Sequence, residues 1–230
     1  MKKTMIALLA MASAAFGADY TVENIWTVNF GSGYDDGYQI SGDLTIGRVW
    51  DVVAVEGGTQ TSGEKRVHLQ NGNFGDWSED FQFSITLTLG DTITASNNWP
   101  VFFELRGDNG NLRVGPYVAA GNVVDMDGSV AKNEEKAAAV TPGGTHTITL
   151  TKIGSSLTAA VDGVVSSTGT LNEGVSGAVN NILIGGDVNG YYKINSTVES
   201  ISWGTVTVPE PATATLSLLA LAGLAARRRR

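Results

Sequence analysis

The chain has no cysteine and only two histidines in its 230 residues. Without cysteine there is no disulfide framework and no thiolate metal site, so a folded domain here rests on its hydrophobic core alone. A domain of about 190 residues is long enough to bury one. His68 and His146 have no spaced histidine partner, which speaks against zinc and against a Ser-His-Asp arrangement. Neither a Gly-x-Ser-x-Gly nucleophile motif nor an EF-hand loop occurs. A carboxylate pair at hydrolase spacing is also missing, and glycoside hydrolysis needs two carboxyl groups facing one bond. Glu79 and Asp80 are adjacent, so on a strand they face opposite sides. Glu134 and Glu135 sit in a polar stretch, and Glu104 stands alone on its strand. Its ordinary reading is a solvated charge or a partner of Arg106, two residues on and on the same face. Internal repeats and an interdomain linker are absent between residues 20 and 207.

Positive charge is scarce where it would matter for polyanions. Residues 18–208 hold 9 Lys and Arg against 22 Asp and Glu, a net −13. Such a surface argues against nucleic acid and anionic lipid as partners and permits cations, neutral glycans or basic partners.

What the chain does have is glycine, 29 in all, and many short Val- and Thr-rich runs, the composition of strands joined by tight turns. The central stretch is His146 to Gly163. Ile148 and Leu150 alternate with Thr147, Thr149 and Thr151, then Gly154-Ser155-Ser156 turns the chain. Leu157, Ala159 and Val161 continue the alternation, and Asp162-Gly163 is a two-residue hairpin signal. Phe81 to Leu89 alternates most cleanly, Phe81, Phe83, Ile85, Leu87 and Leu89 against Gln82, Ser84, Thr86 and Thr88. Further strands are expected over Tyr20–Phe30, Tyr38–Ile46, Val49–Val55, Lys65–Leu69, Trp99–Arg106, Leu112–Val118, Val123–Val124, Asn181–Ile184 and Val198–Trp203. Thr205 to Val208 trails out. Lys132 to Val140 is the sole helical candidate, and a surface turn fits it equally.

The amino end reads as a signal peptide over residues 1–17, with Lys2 and Lys3, an apolar core from Met5 to Phe16, and a cut between Gly17 and Ala18. At the carboxyl end, Pro209-Glu210-Pro211 precedes an apolar run of 15 residues, 212–226, and then Arg227, Arg228, Arg229 and Arg230. As a helix the run is about 22 Å long, short of the roughly 20 residues of a comfortable membrane span. The arginines belong on the cytoplasmic side, leaving the domain outside.

This tail, residues 208–230, resembles the PEP-CTERM sorting signal. The resemblance implies a Gram-negative exported protein, held in the membrane by its tail until an exosortase-type enzyme processes it, and bound for the cell surface or an exopolysaccharide matrix. The span Phe81–Trp203 resembles laminin-G-like, concanavalin-A-like jelly rolls. Its markers are His146–Lys152, the Val-Asp-Gly hairpin at Leu157–Gly163, Asn181–Gly186 (NILIGG) and Ser196–Trp203. It implies an all-β sandwich over residues 18–207. Hydrolases on that fold carry Glu-x-Asp-x-x-Glu, which this chain lacks.

Two ligand chemistries remain. Asp108-Asn109-Gly110-Asn111, Asp125-x-Asp127-Gly128 and Asp187-x-Asn189 offer oxygens for calcium, which takes six to eight. Asp, Asn and Gly are also ordinary turn residues, so no cofactor is the default expectation. Trp77, Trp99, Tyr117, Tyr191 and Tyr192 fall in or near loops, where an apolar face with a polar tip suits stacking on sugar rings or packing at the edge of a core. Trp26, Trp50 and Trp203 lie in strands and are expected in the core. The sequence therefore points to a non-catalytic surface module, glycan-binding or structural, with a degenerate glycoside hydrolase as the alternative.

Overall fold

The computed structural model describes residues 20–30, 38–42, 48–50, 67–90, 99, 101–117, 121–133, 138–185 and 196–208. The signal peptide, with Gly17 and Ala18 and its expected N-terminal helix, and the tail from Pro209 through Arg230, with its expected short transmembrane helix, lie outside them.

Among the described residues none is helical, and turns and loops join the strands. In order these are β1 (Thr21–Phe30), β2 (Tyr38–Gly42), β3 (Arg48–Trp50), β4 (Val67–Gln70), β5 (Phe81–Leu89), β6 (Phe102–Gly107) and β7 (Gly110–Tyr117). Then follow β8 (Val123–Gly128), β9 (Val130–Lys132), β10 (Thr145–Ile153), β11 (Ser156–Val161), β12 (Val164–Leu171), β13 (Val179–Gly185) and β14 (Ser196–Thr207). An eight-stranded sheet runs β2-β1-β14-β5-β10-β11-β12-β9 and a six-stranded sheet runs β3-β4-β13-β6-β7-β8. Every named pair is antiparallel. This is the jelly-roll sandwich that the laminin-G-like resemblance implies.

The period-two alternation builds the core. Phe81, Phe83, Ile85, Leu87, Ile148, Leu150, Leu157, Ala159, Ile201 and Trp203 come from the inner face of the larger sheet. Leu69, Phe103, Leu105, Leu112, Val114, Val124, Met126, Ile182 and Ile184 meet them from the smaller one. Phe83 and Phe103 join the layers, ring centroids 4.8 Å apart, and Phe81 stacks on Trp203 at 4.1 Å. Trp26 and Trp203 are core residues as expected; Trp50 lies in β3. The hairpin at Asp162-Gly163 has positive φ at both positions, 49° and 80°, the backbone of a type I′ turn. Gly75 (φ 134°) lets the loop before β5 lie against the Trp203 ring, since a Cβ there would stand 2.2 Å from it.

Three expectations change. The helical candidate is not a helix where it is described: Lys132 ends strand β9, and Ala139 pairs with Val123 in an isolated bridge. A short run with one apolar cluster gives no amphipathic stripe to dock. Asp125–Gly128 is not a loop but the second half of β8, paired to Leu112–Gly115. Thr205–Thr207 does not trail out but stays in β14, opposite Thr21–Glu23.

Candidate functional site

The outer face of the six-stranded sheet carries a cluster of charge and aromatics. On β6, Phe103 and Leu105 point inward, so Phe102, Glu104 and Arg106 share the outer side. The β6–β7 register sets Glu104 opposite Arg113 and Arg106 opposite Asn111.

Glu104 is 2% exposed. Its Oε1 accepts from Arg106 Nε at 2.8 Å and Asn111 Nδ2 at 3.2 Å. Its Oε2 accepts from Arg106 Nη2 at 3.2 Å and Arg113 Nη2 at 3.3 Å. Burial pushes the carboxyl up, but the Arg106 hydrogen bonds and charge, with Asn111 and Arg113, outweigh it and leave it below the usual glutamate range. The group is thus a fixed anion that holds two guanidinium groups in place.

Arg113 lies with its guanidinium carbon 4.1 Å from the Phe102 ring centroid and 6.0 Å from that of Trp99. Trp99 and Tyr117 pack ring to ring at 5.3 Å. With Phe102 and Leu183 of β13 they form a small apolar cluster separate from the main core. Beside it, Asp125 is 2% exposed; its Oδ1 accepts the Met126 amide at 2.8 Å and its Oδ2 lies 3.6 Å from Lys132 Nζ. Asp127 approaches the same ammonium at 3.9 Å.

Of the aromatics singled out for sugar stacking, the structure brings Trp99 and Tyr117 together and places Trp77 elsewhere. Trp77 is 1% exposed in the main core, edge-on to Phe81, and its indole nitrogen has no hydrogen-bond partner. Tyr191 and Tyr192 lie outside the described residues. The calcium loops separate likewise. Asp108 accepts from Asn180 Nδ2 at 3.0 Å, Asn111 is spent on Glu104, and Asp187 and Asn189 are not among the described residues. Among the described residues no group of three or more His, Asp or Glu could hold a metal ion. His68 stands opposite Leu183, and His146 bonds Asp162 at 2.8 Å.

Sequence reasoning found the Glu104–Arg106 pair but missed Arg113 and Asn111. The signal was there: Gly107-Asp108-Asn109-Gly110 is a hairpin turn, and counting outward from it sets Glu104 against Arg113.

A model of the PEP-CTERM protein-sorting motif matches residues 207–230. No curated protein matches the chain. Among solved structures it is similar to the Caenorhabditis elegans galectin LEC-6, at 15% identity over 63% of this chain and 91% of that one, TM-score 0.40. It is also similar to CG-16, a homodimeric agglutinin from chicken liver, at 12% identity over 60% of this chain and 99% of that one, TM-score 0.39. A third is Trypanosoma rangeli sialidase, at 12% identity over 78% of this chain and 30% of that one, TM-score 0.48. The two sheets define an all-β jelly-roll sandwich, and the motif at its carboxyl end indicates export and C-terminal sorting in Gram-negative bacteria. The tail implies processing by an exosortase-type enzyme.

Proposed function

We propose that the protein is a non-catalytic module of the cell surface or extracellular matrix that binds glycan on the outer face of the six-stranded sheet. The observation that carries this reading is the Arg113 guanidinium, fixed by Glu104 and stacked on Phe102 beside the Trp99–Tyr117 pair. Phe102 and Trp99 are 1% and 7% exposed and back the site from beneath, so the face offered to a sugar is the 28%-exposed Arg113 side chain beside the half-buried Tyr117, oriented donors next to an aromatic edge. No cofactor is part of the reading, and its partners are the exosortase-type enzyme, the membrane until the tail is processed, and an exopolysaccharide or other glycan; nucleic acid is not among them.

The non-catalytic part rests on Glu104. A general acid must hold a proton near neutral pH, and this carboxyl is held ionised by two arginines. Residues 18–208 applied to a glycan array are expected to bind a defined subset, with binding lost in Arg113→Ala and Trp99→Ala. Binding that persists in both variants places the ligand elsewhere, and no binding to any glycan favours a purely structural module. Turnover of a β-glucan or galactan that Glu104→Gln abolishes would favour the glycoside hydrolase instead.

A further inference from the structure

The sorting motif begins inside the folded sandwich. Its matched span starts at residue 207, and Thr207 is the last residue of β14, paired with Thr21. β14 is an interior strand, with β1 on one side and β5 on the other. Thr205 faces Glu23 on the first and Phe81 on the second, and the Val206 amide donates to the Asp80 carbonyl at 2.9 Å. Only Val208 separates the ladder from Pro209-Glu210-Pro211. An extended residue spans at most about 3.5 Å, so Glu210 lies within about 10 Å of Thr207 along the chain.

A peptide is commonly held in an extended form through backbone hydrogen bonds along a strand edge. Upstream of the prolines, Thr205 and Val206 have both edges taken and Thr207 has one, against Thr21. The same strand also shows how far it can release. Gly204 has no side chain and lies tight against β1, where a Cβ would meet Val22 Cγ1 at 2.6 Å and the Glu23 carbonyl at 2.8 Å. Beyond it only Val206 is buried, at 8% exposure. Before it stands Trp203, 1% exposed and stacked on Phe81. Strand ends open at low free energy while a core anchor does not, so release stops at Trp203 and frees residues 204–208.

We propose that the tail-processing enzyme acts on chains in which the last rungs of the β1–β14 ladder, Thr205, Val206 and Thr207 against Glu23, Val22 and Thr21, have opened, so that the sandwich sets the rate of its own sorting. This rests on reading the tail as a processed signal. The partner is the membrane-embedded protease, and the surface it takes is the freed end of β14.

The cysteine-free sequence allows a clean test. Thr21→Cys with Thr207→Cys joins directly opposed residues, whose Cα separation of about 4.5–5.5 Å in such a pair is within disulfide range, in an oxidising compartment. In the full chain expressed in its exporting host, this lock is expected to accumulate the unprocessed form, with processing restored by a reductant. Asn29→Cys with Ser200→Cys, at the far end of the same ladder, is expected to process as the parent does. A Gly-Ser insertion of about eight residues between Val208 and Pro209 should rescue the locked chain and raise the processing rate of the unlocked one. Processing of the locked chain at the parental rate, or no acceleration by the insertion, overturns the proposal. Retention of the whole tail by the unaltered chain in its host overturns instead the reading of the tail.

Discussion

Asp162 and His146 hold two turns of the larger sheet together. The Asp162 carboxylate meets His146 Nδ1 at 2.8 Å through Oδ2 and accepts the Thr147 amide at 2.8 Å through Oδ1. The Thr141 amide donates to His146 Nε2 at 3.0 Å. Nε2 therefore carries the lone pair, and the ring proton sits on Nδ1, aimed at Asp162. Asp162 thus serves both as the first residue of the β11–β12 turn and as the anchor of the loop before β10.

This fixes a pH dependence. Burial raises the Asp162 carboxyl, but the His146 bond and the Thr147 amide outweigh it, and the group lies below the ordinary aspartate value. A depressed carboxyl stabilises the fold above its unfolded value, about 3.9, and the contribution is lost as pH falls through the folded value. Asp162→Asn keeps a residue that tolerates the positive φ of the turn. The stability difference between parent and variant, from urea midpoints, is expected to shrink between about pH 5 and pH 2. A difference constant over that range would refute the linkage.

Glu104 gives a second one. Its carboxyl is also depressed, so its contribution is present above about pH 4.3 and lost as pH falls below. Glu104→Ala leaves Arg106 and Arg113 facing each other. Removing one partner of a fully buried pair costs about 3–5 kcal/mol, and because the arginine side chains are 36% and 28% exposed, about 1–3 kcal/mol is expected here. Denaturant melts at pH 7 measure it, and a loss below about 0.5 kcal/mol would mean the arginines are held by something else.

The two faces of β10 should respond very differently. Ile148 and Leu150 are core residues, and truncating either to alanine is expected to cost about 2–5 kcal/mol. Thr149 is 4% exposed but lies on the outer side, opposite Ser84 and Ala160. Thr149→Ala loses only a cross-strand contact, about 0.2–1 kcal/mol. Equal losses at Thr149 and Leu150 in urea melts would show that the outer face is covered as fully as the inner.

The tail is expected to be transient. Its apolar run of 15 residues is rich in Ala and Thr and short of the roughly 20 residues of a comfortable span. Glu210→Ala should block processing without changing the melting of the sandwich, and replacing Arg227–Arg230 by alanine should misorient the segment. Mass spectrometry of the surface fraction reads both. Parent chains that still end in Arg230 would identify a plain anchor.

Alternation made most of the fold legible. Phe81–Leu89 and His146–Val161 present one face to a core and one away from it, so the order of apolar and polar residues reveals both strand and facing. The Asp162-Gly163 turn announced itself because few residue pairs accept positive φ twice. The site was harder to read. Glu104 and Arg113 belong to different strands and meet through register, which a local pattern does not display. Trp77 looked like a loop aromatic because its neighbours are polar, yet its ring enters the core, and no sequence period records a loop folding back over a sheet edge. Thr205–Thr207 lacks a strong apolar pattern and is held instead by β1 along its length, with Phe81 and the Asp80 carbonyl on the other side at Thr205 and Val206.

The place of β14 also bears on the order of events during export. Chains that cross a membrane amino end first deliver β1 at the start and β14 at the end. Until residues 196–207 emerge, the larger sheet consists of two unconnected pieces, β2-β1 and β5-β10-β11-β12-β9. A two-stranded piece is marginal by itself, and β5 meanwhile presents an unpaired edge bearing Phe81, Phe83 and Ile85, the kind of surface that recruits chaperones or aggregates. The closing strand is followed at once by the sorting motif, so the sheet is completed only when the last part of the chain before that motif emerges. A chain truncated before Ser196 should therefore be exported as an open, aggregation-prone half-sheet rather than as a smaller sandwich.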